Sequence, residues 1–147
     1  MPTTGETLQV QLSPEARAAG YTLETDSSAS QPTAILSYGG TGEPPAPAAA
    51  IGLLNAEPYR GRSVTISACI LTTGELSPLS GLWLRVDRPG GMGFFDNMSD
   101  RPMVEADWRL VEVTGPVAPD AARLTFGIAR YGVGSITVRG LTLTVHD

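Results

Sequence analysis

Apolar and polar positions alternate with a period of two along much of this chain. The cleanest run places Val64, Ile66, Ala68 and Ile70 between Thr65, Ser67 and Cys69. Successive side chains of a strand leave opposite faces, so residues 63–71 predict a central strand with one buried face. Leu82, Leu84 and Val86 alternate in the same way with Trp83, Arg85 and Asp87. Such a strand has a core on one side and a pocket or solvent on the other. Residues 123–131 repeat the pattern, with Leu124, Phe126 and Ile128 inward and Thr125, Gly127 and Ala129 opposite. The small residues of that second face leave room for something to approach the sheet.

Weaker patterns predict strands at residues 7–12, 21–24, 33–38, 49–54, 108–113 and 135–145. The phase of 108–113 is ambiguous, and Gly115-Pro116 is expected to break it. Between Asp87 and Phe94-Phe95 the sequence reads as a Gly-rich turn. Gly132-Val133-Gly134 reads as a hairpin turn, and Gly140 marks a bulge or bend in the last strand. Ser13-Pro14, followed by Gly20, supplies an N-cap, a first-turn proline and a terminator. That predicts one short peripheral helix over 14–19, because its apolar side is only alanine. Residues 1–6 form a lead-in, and the Gly and Pro content of residues 39–47 predicts a long loop. About eight to ten short strands with turn signals between them predict an all-β fold. Its expected form is a single-domain, antiparallel two-layer β-sandwich of jelly-roll type spanning 1–147.

Composition narrows the function. A chain of 147 residues with 41% hydrophobic content is long enough for one real core. Its net charge of -5 disfavours nucleic acid as a partner, because phosphate contacts need clustered cations. All ten basic residues are arginine, which excludes a Schiff-base or P-loop lysine. Cys69 is the sole cysteine, so no intrachain disulfide forms, and a buried structural thiol is expected. No stretch approaches the roughly 20 apolar residues that cross a bilayer, and the first residues carry no signal pattern. The expectation is a cytoplasmic protein with no membrane partner. His146 is the only histidine and stands next to last, so a frayed terminal residue is expected there rather than a base. That leaves no Ser-His-Asp triad, no histidine-rich metal site and no nucleotide fingerprint. Neither a cofactor nor a metal is expected.

Three segments carry a family resemblance: Tyr59-Arg60-Gly61-Arg62, residues 81–87, and Phe95-Asp96-Asn97-Met98-Ser99-Asp100-Arg101-Pro102. Asp107-Trp108, residues 117–122 and Phe126-Gly127 continue it in order. With these, the chain resembles bacterial galactose-binding-like, or carbohydrate-binding-module-like, jelly-roll modules. Such modules occur alone or fused to regulatory and other domains. The resemblance implies a β-sandwich and a small organic or sugar-like ligand. Relatives carry a tryptophan and adjacent acidic residues in the last strand, where this chain has Arg139-Gly140. The substitution removes oxygen ligands from a place where such modules hold a structural calcium.

Candidate site residues concentrate in residues 81–108, which hold both tryptophans. Trp83 offers an aromatic platform, with Arg85 and Asp87 beside it on one face. The alternative is structural: Trp83 closes a packing layer and Arg85 pairs at the rim. Asp96, Asn97 and Arg101 either line the rim of a polar site or cap an ordered loop. Phe95, Tyr38 and Tyr131 are further aromatic candidates, and residues 39–47 a candidate lid. Two functions compete. One is a noncatalytic binding module for a small or carbohydrate-like molecule. The other is a cofactor-free cyclase, isomerase or lyase that folds a biosynthetic intermediate in an apolar cavity, with Asp87, Asp96, Glu105 or Asp107 as acid or base. A third reading is homodimeric assembly through sheet edges or a shared face.

Overall fold

The computed structural model describes residues 6–26, 33–38, 48–74, 81–96, 98, 107–130 and 134–146. Two antiparallel sheets face each other. The strands are β1 (Glu6–Thr7), β2 (Gln11–Leu12), β3 (Tyr21–Asp26), β4 (Thr33–Tyr38), β5 (Ala48–Asn55) and β6 (Ser63–Gly74). They continue with β7 (Gly81–Arg88), β8 (Gly91–Asp96), β9 (Arg109–Pro116), β10 (Arg123–Arg130) and β11 (Gly134–His146). One sheet runs β3-β4-β11-β6-β9, with β1 also paired to β11. The other runs β2-β5-β10-β7-β8. This is an all-β, two-sheet antiparallel sandwich consistent with a jelly-roll topology.

The predicted alternation sets the core. Val64, Ile66 and Ile70 of β6 face Leu82, Leu84 and Val86 of β7 and Leu124, Phe126 and Ile128 of β10, all at most 1% exposed. At roughly 1.5–3 kcal/mol for each buried aliphatic side chain, this layer is the main favourable term. Arg130 continues the inward series of β10 and is fully buried. Its guanidinium Nη2 donates to the Thr73 carbonyl of the opposite sheet at 3.1 Å, tying the two layers at one end. The short helix forms as predicted: Pro14–Ala18, with the Ser13 hydroxyl accepting the Ala16 N–H at 3.2 Å. The bulge also lies where the glycine suggests. The β11–β6 register slips between Arg139 and Thr142, and Gly140 has φ +68°. The slip lets Val138 and Leu141 both point inward.

Several expectations are corrected. Residues 7–12 are not one strand. β1 pairs with β11 and β2 with β5, so the chain crosses between the sheets and buries Leu8 and Val10 on the way. The Gly-rich stretch after β7 is itself a strand, β8, returning after a Pro89-Gly90 turn. β10 and β11 lie in different sheets, so their connection is a crossover and not a hairpin. β9 runs on through Gly115-Pro116, which a sheet edge tolerates because one side of the strand makes no ladder bonds. Cys69 is half-buried on the outer face, between Arg139 and Leu110 on the flanking strands. His146 is the last residue of β11, with its Nε2 2.7 Å from the Thr65 hydroxyl.

Two of the resembling segments meet. Gly61 donates to the Val117 carbonyl, Val117 donates to that of Arg62, and the Arg60 Nε donates to Ala121 at 2.7 Å. Gly61 takes φ +76°, a left-handed conformation that favours glycine. These residues hold a corner of the sandwich together.

Candidate functional site

The outer face of the five-stranded sheet carries the predicted cluster. Strand register arranges it in three rows. Trp83 lies beside Gly127, then Ile51 and Gln11. The second row runs Phe95, Arg85, Thr125, Leu53 across four strands. Met92, Asp87, Arg123 and Asn55 form the third. Three spacings of about 4.8 Å make the middle row about 14 Å long.

Asp87 organises the charged part. Its Oδ1 accepts from the Arg85 Nε at 2.8 Å. Its Oδ2 accepts from the Thr125 hydroxyl at 2.9 Å and from the Arg123 Nε at 3.4 Å. Burial pushes the Asp87 carboxyl up, but hydrogen bonds from Arg85, Thr125 and Arg123 and the Arg85 charge hold it below its ordinary value. The carboxylate therefore stays charged and fixes the angle of Arg85. Phe95 at 46% exposure and Leu53 at 58% flank this network as apolar surface.

Trp83 occupies the predicted face but offers no open platform, being only 9% exposed. It packs onto Gly127, whose missing side chain leaves the space the indole fills. The hollow anticipated at Gly127 thus holds Trp83 itself. Asp96 accepts the Met98 N–H at 2.9 Å, and Met98 takes φ +62°, so Asp96 caps a turn. The Met98 side chain lies over Gly81 and is 1% exposed. Tyr38 belongs elsewhere. It packs against the core from the other sheet, its ring 5.1 Å from that of Tyr21. Asn97, Arg101, Tyr131, Glu105 and the residues 39–47 considered as a lid lie outside the described residues.

The tryptophans part company. Trp108 sits on the outer face of the other sheet, with the Arg139 guanidinium 4.0 Å from its ring centroid. Leu53 and Arg123 join this face without having been expected there. The signal was available, since both fall on the outward phase of alternating strands, but only pairing brings them beside Arg85. Asp107 is exposed and stands apart from the Asp87 network. Among the described residues, no group of three or more His, Cys, Asp or Glu is placed to hold a metal. No helix among them is long and apolar enough to cross a membrane.

No protein-family model and no curated protein matches the chain. Solved structures do share its fold. A family 16 carbohydrate-binding module superposes with a TM-score of 0.58 at 10% identity, over 84% of this chain and 86% of that one. The N-terminal endo-1,4-beta-D-xylanase 10B of Clostridium thermocellum, its CBM22-1 and GH10 modules complexed with xylohexaose, gives 0.57 at 10% identity. That match covers 100% of this chain and 28% of the xylanase. The enzymatically active domain of bacteriophage CBA120 tailspike protein 4 gives 0.58 at 14% identity, over 96% of this chain. The chain spans only 20% of that tailspike structure. At these identities the likeness is one of fold, a jelly-roll sandwich resembling carbohydrate-binding modules.

Proposed function

We propose that this protein is a noncatalytic module that binds a carbohydrate-like molecule across the outer face of its five-stranded sheet. One observation carries the reading. A single row across four strands sets an exposed ring, an oriented guanidinium and an exposed aliphatic side chain on one face, with the buried Thr125 between the last two. Sugars present flat C–H surface and a rim of hydroxyls, and that row offers a partner for each. Arg85 meets the ligand with its orientation already fixed by Asp87, so little conformational entropy is lost on binding. The fold likeness to carbohydrate-binding modules supports the same reading.

The enzymatic reading asks for an enclosed apolar cavity above Trp83. Trp83 is 9% exposed and rests against Gly127. A cavity lined by described residues lies where the chain crosses between the sheets, beside Leu8, Thr25, Asp26, Ala34 and Leu141. It holds about 130 Å³, and a neighbouring groove along Leu12, Arg17, Tyr21 and Leu23 holds about 470 Å³; neither is lined by Trp83. Isothermal titration against neutral and acidic oligosaccharides tests the proposal. Saturable binding that is weakened by Phe95→Ala is expected. Absence of binding to every saccharide at millimolar concentration would overturn it.

A further inference from the structure

The charge balance of the middle and lower rows goes further and, resting on the binding face proposed above, narrows its ligand. Two guanidiniums, those of Arg85 and Arg123, share one carboxylate, that of Asp87. Arg85 approaches it through Nε and, at 3.5 Å, Nη2, and Arg123 through Nε. The Arg85 Nη1 and both Arg123 Nη groups then make no hydrogen bond among the described residues. The side chains remain 38% and 51% exposed, which leaves a ligand access to both guanidiniums. At the same end of β7, the Arg88 guanidinium is matched one to one by Asp120, at 2.8 Å and 3.0 Å. Among the described residues the Asp87 cluster therefore keeps a surplus positive charge, on a chain whose net charge is -5.

We infer that the bound saccharide is acidic, with a sugar carboxylate received by the outward N–H groups of Arg85 and Arg123 and its ring set against Phe95. A neutral saccharide over this face would cover the surplus charge without neutralising it, which costs desolvation. A planar carboxylate fits the N–H fork of a guanidinium and restores the balance. The exposed Phe95 and Leu53 on either side favour a saccharide over an acidic peptide, because a sugar face can rest on them while its carboxylate reaches the arginines.

The test compares affinities for oligogalacturonate, oligomannuronate and glucuronoxylan oligosaccharides with those for the same molecules after carboxyl reduction. At least one acidic form is expected to bind about tenfold or more tightly than its reduced form, the scale of a charged hydrogen bond. Arg123→Gln should bring that ratio toward one. Arg88→Gln, which removes the same unit charge outside the cluster, should leave the ratio as it was. Equal binding of acidic and reduced forms would overturn the inference while leaving the binding face standing. An unchanged ratio in Arg123→Gln, or equal binding by a glutamate peptide of matched charge, would also overturn it. Failure of every saccharide, acidic or neutral, would remove the binding-module reading as well.

Discussion

Trp83 rests on Gly127. A Cβ built on that glycine would come 3.2 Å from the indole Cζ2 and would run into the Ala50 carbonyl. The largest residue of the outer face and the smallest are thus one packing unit. Gly127→Ala is therefore expected to destabilise the fold by about 1–3 kcal/mol through overpacking. Trp83→Ala should cost about 3–5 kcal/mol through the void left behind. Denaturant midpoints of both variants check this. A stable Trp83→Ala protein that merely loses ligand would show instead that the indole is a contact surface.

Phe95 and Arg85 should behave in the opposite way. Both are substantially exposed, so Phe95→Ala and Arg85→Lys are expected to leave unfolding free energy within about 0.5 kcal/mol. Each should weaken saccharide binding roughly tenfold. For Arg85→Lys the charge is kept, but the planar fork held by Asp87 is lost. Paired titration and denaturation of the two variants separate contact from packing.

Asp87 should leave a signature in acid. Its carboxyl titrates below the ordinary 3.8 in the folded protein. Between the folded and unfolded values the unfolded chain binds more protons, so stability rises with pH across that window. The contribution is present above about 3.8 and is lost as pH falls through the folded value. Comparing denaturant stability of the wild type and Asp87→Asn should show a gap near neutrality that closes in acid. A gap independent of pH would mean that the carboxylate charge contributes nothing.

Gly140 holds the bulge with φ +68°. A β-branched residue there meets its own carbonyl, at a cost of roughly 1–2 kcal/mol. Gly140→Val should lower the denaturant midpoint by a corresponding amount. An unchanged midpoint would mean that the bulge adapts without a left-handed residue.

Local pattern was sufficient for much of this protein. Alternation placed Val64, Ile66 and Ile70 inward, and put Trp83, Arg85 and Asp87 together on the opposite phase of β7. Ser13-Pro14 and Gly140 announced the helix and the bulge, because capping and left-handed backbone depend on the residues at hand. Other features depended on residues far away in the chain. Gly91 to Asp96 became a strand because β7 offers it a partner, although its glycines signal a turn. Strands β10 and β11 lie in different sheets instead of pairing as a hairpin, because β11 pairs with β4 and β6. Period two tells which side of a strand a residue takes, but not what lies across from it. Only the assembled sheets put Gly127 under Trp83, closing one candidate platform, and set Phe95, Leu53 and Arg123 around Arg85, opening another.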